Sequence, residues 1–185
     1  MRSAVPFLVR KVEKGKWKPG ETLILANVPG DAITRDMMTV ASALSVWQIS
    51  LDDEEEIVDE GILALVTNEK QEHIETIDVA LLELRELEGN NLEVIEKEGI
   101  TFVRDLIQAH RHIKNLTYDK LGTIAEIILK NFHENKVKRR TKPQITRLLI
   151  KAIQQNRLEF DRLNDHIKET VMNYCERKGE NFGEN

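Results

Sequence analysis

Two hydrophobic periods run along this chain. Near the start, Ala4 to Val12 (AVPFLVRKV) is apolar and β-branched and predicts a strand, with Trp17-Lys18-Pro19-Gly20 as the turn after it. In ETLILANVPGDAITRDMMT, Thr22 to Val28 reads as a second strand, and Gly30-Asp31 opens a short helix through Met38. Ala43 to Leu51 then places Ser45, Trp47, Ile49 and Leu51 on one face and Leu44, Val46, Gln48 and Ser50 on the other, the period of a buried strand. Asp52 to Glu56 (DDEEE) opens a helix whose Ile57, Val58, Ile62, Leu65 and Val66 fall at helical spacing. Carboxylates suit that position, because free N–H groups and the helix dipole are both positive there. Thr76 to Leu84 fits strand or helix on periodicity alone and is taken as a strand because Gly89-Asn90-Asn91 supplies a turn, after which Leu92 and Val94 alternate with glutamates as a partly exposed return strand.

From Ile100 the spacing predicts helices throughout. Phe102 or Val103, Leu106, Ile107, His110 and Ile113 form one stripe. Thr117 caps a second helix carrying Leu121, Ile124, Ile128 and Phe132. The third and longest stripe, Ile145, Leu149, Ala152, Phe160, Leu163, Ile167, Val171 and Tyr174, is interrupted on its face by Asn156. The fold class expected is therefore α+β. An α/β part with a small sheet, residues 1–99, precedes a three-helix part, residues 100–178, that ends in a long amphipathic helix, and residues 179–185 are a frayed tail.

Charge adds a second division. The net charge is -5, but residues 1–99 hold 10 basic and 21 acidic side chains, whereas residues 100–185 hold 17 and 11. The densest basic stretch is KVKRRTKPQITR, residues 136–147, with six cations and no acid. Within it Thr141-Lys142-Pro143-Gln144 has the form of a capping box, which accounts for a helix start but not for the charges. Arg139, Arg140 and Lys142 crowd the positive end of that helix, and with Arg147 they are the candidate anion or nucleic-acid contacts. The alternative is a solvated joint, or pairing with the acidic half of the same chain or of a second copy. No aromatic residue lies between Lys136 and Arg147, so backbone contact rather than base stacking is the form nucleic-acid binding would take. The connection to the preceding helix is longer than a helix-turn-helix joint and lacks glycine.

Other chemistry is sparse. A phosphate-binding glycine loop, a GxSxG elbow and an HExxH pair are absent, so neither cofactor nor metal is expected. His110 and His112, read on a helix, point about 200° apart and could not share an ion. His110 instead falls on the apolar stripe, as a core histidine or a site residue. Asp31, Thr34, Arg35 and Asp36 form a compact polar group, either a functional loop or a helix start with an Asp31–Arg35 pair; Asp31, Arg35 and His110 are carried forward as a candidate polar site. Trp47 reads as core, and Trp17 as either packed or an exposed interaction anchor. Cys175 has no partner for an internal disulfide, the N-terminus lacks the pattern of a signal peptide, and no run approaches a membrane span, which together suggest a cytoplasmic protein.

The function these features favour is a non-enzymatic interaction or regulatory module with opposed acidic and basic surfaces, whose partner is another protein or itself as a homo-oligomer, with no membrane. A nucleic-acid-associated regulator using residues 136–147, or an enzyme assembled from distant segments, are the alternatives.

Overall fold

A computed structural model describes residues 6–17 and 24–179. The start of the first expected strand, the Lys18-Pro19-Gly20 turn, Thr22 and Leu23, and most of the C-terminal tail lie outside the described residues. The fold is α+β, built on one antiparallel sheet of six strands in the order β4-β5-β2-β1-β3-β6: β1 Phe7–Val12, β2 Leu44–Ile49, β3 Ile77–Glu83, β4 Glu93–Glu96, β5 His110–Lys114 and β6 Val137–Arg140. Among the described residues six α-helices accompany it: α1 Gly30–Asp36, α2 Glu54–Val66, α3 Leu84–Gly89, α4 Tyr118–His133, α5 Lys142–Gln154 and α6 Asp165–Lys178.

Alternation along the strands makes two cores. Leu8 and Val12 of β1, with Leu44, Val46, Ala80 and Leu82, pack under α1, α3 and α4. Val9, with Trp47, Ile49, Ile77, Val79 and Leu81, packs under α2, α5 and α6. A sheet covered on both faces favours largely apolar inner strands, and β3 is apolar at every position except Asp78 and Glu83. At one point helix and sheet nearly touch: a Cβ built on Gly61 of α2 would fall 2.5 Å from Val9 Cγ1. Only glycine lets α2 seat that deeply.

Several expected elements form as read. Asp53 caps α2 by accepting from Glu56 N–H at 2.9 Å, and Gln144 of the capping box accepts from Thr141 N–H at 2.8 Å. Others differ for local reasons. Leu25–Asn27 is a 3-10 turn rather than part of a strand. The stripe read as a helix over 102–113 resolves into a 3-10 segment, Arg104–Ala109, followed by β5, because His-Arg-His-Ile-Lys alternates over too few residues for its period to choose helix or strand. The joint expected before α5 contains β6, so both β5 and β6 from beyond residue 99 enter the common sheet. The return strand β4 pairs with β5, at the far edge from β3.

The long terminal helix is two helices. Asn156 takes a left-handed conformation (φ 56°), and Arg157 N–H returns to Ala152 O at 2.9 Å, while Asn156 N–H reaches Ile153 O at 2.9 Å. That is a Schellman stop with asparagine in the glycine position. Asn164 then caps α6, so the apolar stripe continues through two packed helices instead of one.

Candidate docking groove between α2 and α5

The edge strand β6 divides its cations between the two faces of the sheet. Arg139 lies opposite Asp78 and Arg140 opposite Ile77, so consecutive side chains point to opposite sides. On one side Arg139 binds the buried Asp78 with two bonds, Nε to Oδ1 at 2.7 Å and Nη2 to Oδ2 at 3.0 Å. On the other, Arg140 Nε reaches Asp59 Oδ1 at 2.6 Å and Nη2 reaches Glu55 Oε2 at 2.6 Å, and Lys138 Nζ lies 2.7 Å from Glu54 Oε1. Lys136 pairs with Glu134 at 2.8 Å and Glu83 at 3.2 Å. Burial would lower the Arg140 pKa, but the bonds to Asp59 and Glu55 outweigh it and hold the guanidinium charged. Four of the six cations of KVKRRTKPQITR are thus engaged within the fold, while Lys142 and Arg147 are exposed on α5.

α5 runs beside α2 in the same sense. Glu55 and Asp59 line a hollow of about 370 Å³ with Arg140, Gln144, Arg147 and Leu148. The next hollow, about 290 Å³, shares Asp59 and Leu148 and adds Glu56, Glu60 and Leu63 of α2 to Lys151, Ala152 and Gln155 of the α5 side. Together they form one groove. Its α2 wall is acidic, its α5 wall is basic or amide, and Leu63, Leu148 and Ala152 lie between them. Glu56, Arg147 and Lys151 are exposed, and among the described residues none of the three is in an ion pair. The hollows lie at the lower end of the size range of ligand sites, about 300 to 1,000 Å³, which suits side chains of a docked segment better than a whole ligand.

Arg157 closes one end of the groove. Its guanidinium spans Glu60 of α2, at 2.8 and 2.5 Å, and Asp105 of the 3-10 segment, at 2.6 Å from Nη2. Burial acts to raise the Asp105 pKa, but the Arg157 bonds prevail and lower it. The Arg157 pKa is raised by the same partners, Glu60 first. This latch fixes the turn after α5 against α2, and hence the spacing of the walls.

The remaining expected site residues are dispersed. Trp17 is not an exposed anchor: it is fully buried, stacks on Phe132 at 6.1 Å, and donates its indole N–H to Asp36 Oδ2 at 2.6 Å. The lysine-rich turn conceals it because Asp36 supplies a partner for its polar edge. Asp36 also accepts from Glu13 N–H at 2.7 Å, while its backbone carbonyl receives Arg10 Nε at 3.0 Å and a second bond from Arg10 Nη2. Burial pushes the Arg10 pKa down to about 10 against the pull of Asp36. Arg35 lies 3.4 Å from Glu13 rather than forming the expected pair with Asp31, and both Asp31 and Arg35 are exposed. α1, which carries them, covers the sheet face opposite His110, so Asp31, Arg35 and His110 do not make one site.

His110 and His112 also correct the helical argument. On β5 they share a face, with ring centroids 5.0 Å apart, and His110 lies 4.8 Å from Trp47. Burial lowers the pKa of both. Among the described residues no group of three or more His, Cys, Asp or Glu side chains could hold a metal ion.

No protein-family model, curated protein or solved structure matches the chain. No described helix is long and apolar enough to cross a membrane. Sequence reasoning singled out Arg140 and Arg147 as anion contacts and Lys151 as permissive for base contact, and read Glu56 as part of a helix start, but it gave Glu56, Asp59 and Lys151 no place in a common groove. The spacing was present, Glu55 with Asp59 and Glu56 with Glu60 on one helix, and Gln144, Arg147, Lys151 and Gln155 on another. Nothing in the sequence set these two stripes side by side. Arg157 gave no local signal, since its partner Glu60 is 97 residues away.

Proposed function

We propose that the chain is a non-enzymatic interaction module that receives a charged protein segment in the α2–α5 groove. The observation that carries the reading is the groove itself: exposed Glu56 on one wall, exposed Arg147 and Lys151 on the other, and apolar side chains between. A segment with a leucine ridge, cations along one flank and anions along the other matches all three features. Exposed charges of this kind contribute orientation and association rate, and the apolar contact contributes affinity. The internal pairing of Lys138, Arg139 and Arg140 supports a protein ligand over nucleic acid, because those cations would have to leave carboxylates at 2.6 to 2.7 Å to reach phosphate.

The test uses a labelled amphipathic helical peptide with a leucine ridge, lysines on one flank and glutamates on the other. A peptide of the same composition with its charges interspersed is the control. Fluorescence anisotropy is expected to show binding of the first peptide that weakens from about 50 to about 200 mM salt and is lost in Arg147→Glu/Lys151→Glu. Equal binding of both peptides, or of neither, overturns the reading. Duplex DNA retained at the higher salt and released by Lys142→Glu/Arg147→Glu would replace it with the nucleic-acid alternative.

A further inference from the structure

We infer that the segment seated in this groove belongs to a second copy of the chain, in a two-fold dimer whose axis runs along the groove. The inference rests on the groove being a docking site, and it follows from the order of its walls. A groove with one acidic and one basic wall is self-complementary for only one of the two ways a two-fold axis can lie in the plane of contact. An axis across the groove sets acidic α2 on acidic α2. An axis along the groove reverses left and right in the second copy, so the α2 wall of each faces the α5 wall of the other.

Isologous contacts double every favourable pair. Glu56 of one copy meets Lys151 of the other, and the same pair recurs on the far side of the axis; Arg147 adds a second cation to each basic wall. These groups are free for the role, being exposed and outside any ion pair among the described residues. Their neighbours on the walls are not, since Asp59 and Glu60 are bound to Arg140 and Arg157. The internal pairs hold the walls in position and the unengaged charges face outward. Leu51, one of the few large apolar side chains exposed among the described residues, borders the same hollow, and Leu148 lies between the walls, so the two ridges would meet near the axis. The charge asymmetry between the two halves of the sequence thereby acquires a geometric use: each half of the dimer presents its excess to the opposite excess.

The experiment is sedimentation velocity on four samples across a wide concentration range: the parent, Glu56→Lys, Lys151→Glu, and the double variant. Both sites are exposed, and circular dichroism verifies the fold of each. The parent is expected to dimerise. Each single variant sets like charges against each other at both 56–151 contacts, with Arg147 unchanged, and should weaken the dimer by at least about tenfold. The double variant reverses the signs within each 56–151 pair and should recover it. An equimolar mixture of the two single variants should also recover it, because Glu56→Lys in one copy faces Lys151→Glu in the other while the parental pair remains on the opposite side. Dimers that persist in both single variants overturn the inference, since they use another surface. Loss in the single variants without recovery in the double variant or in the mixture overturns it equally. A parent that stays monomeric yet holds the polarised peptide removes the second copy and leaves the docking groove intact, whereas a monomer that holds no peptide removes both.

Discussion

Replacing Gly61 by alanine tests how α2 is seated, and with it the acidic wall. The added Cβ would lie 2.5 Å from Val9 Cγ1 and 2.7 Å from both Val9 Cβ and Cγ2. Comfortable carbon contacts are about 3.5 to 4.0 Å, so the shortfall is about 1 Å at three atoms together. Val9 cannot yield easily: it is β-branched, fully buried, and held on β1 between β2 and β3. Alanine would gain about 1 kcal/mol of helix propensity over glycine, while overpacking costs about 1 to 3 kcal/mol. With three close atoms on a rigid neighbour the upper end applies, which leaves a net loss of about 2 kcal/mol. For a chain of this length that is a fall of about 4 to 8 °C in Tm. Urea denaturation followed by circular dichroism measures it directly. Val9→Ala in the same background removes two of the three close atoms, Cγ1 and Cγ2, and leaves Cβ at 2.7 Å, so it should relieve part of the clash and make the double variant more stable than the sum of the two single losses by about 1 kcal/mol. A Gly61→Ala protein as stable as the parent, with an unchanged denaturant slope, would refute the argument.

Three further outcomes follow from named contacts. Arg139→Met should destabilise more than Arg140→Met, because it leaves the charge of Asp78, whose side chain is 9% exposed, with only the Lys14 N–H at 3.3 Å, whereas the second change leaves Asp59 and Glu55, at 31% and 60%, open to water; denaturant midpoints give the order, and Asp78→Asn should restore part of the Arg139→Met loss. Asn131→Leu should stabilise by about 1 kcal/mol in the same assay, since the buried amide nitrogen of Asn131 has no hydrogen-bond partner among the described residues; a loss would show that the amide is satisfied. His110 and His112 have pKa values lowered chiefly by burial, so below pH 6.5 the unfolded chain binds more protons than the folded one, and stability should fall as pH drops toward the folded values. The slope is at most about 1.4 kcal/mol per pH unit for each histidine, and His110→Gln/His112→Gln should flatten the profile between about pH 7.5 and about pH 5.5 relative to the parent.

How far the site was legible depends on the range of the contacts. Helix starts were readable because their determinants are local: Asp53 reaches only to Glu56, Thr141 only to Gln144, and Thr117 only to Lys120. β3 was legible only with help from a neighbour: the apolar run of Thr76 to Leu84 fits either period, and the turn signal Gly89-Asn90-Asn91 tipped it to strand, although α3 stands between the two. β5 and β6 were not, since four or five charged or histidine-rich residues carry no decisive period; each is a strand because neighbouring strands supply its hydrogen bonds. The stop at Asn156 left a mark, one asparagine in an apolar stripe, but that mark alone does not separate a polar interruption from a left-handed helix end.

The sequence by itself determined the α+β class, the caps of α2, α4 and α5, the alternation of β2 and the opposed charge of the two halves. These depend on side-chain type and on spacing within a few residues. The tertiary structure decided where those charges go. Edge pairing of β6 against β3 set Arg139 on Asp78 and Arg140 on the far face, and the close seat of Gly61 on Val9 brought the acidic stripe of α2 alongside the basic stripe of α5. Both results join residues tens of positions apart, and the free energy that selects them comes from burying the whole apolar sheet rather than from the charges themselves.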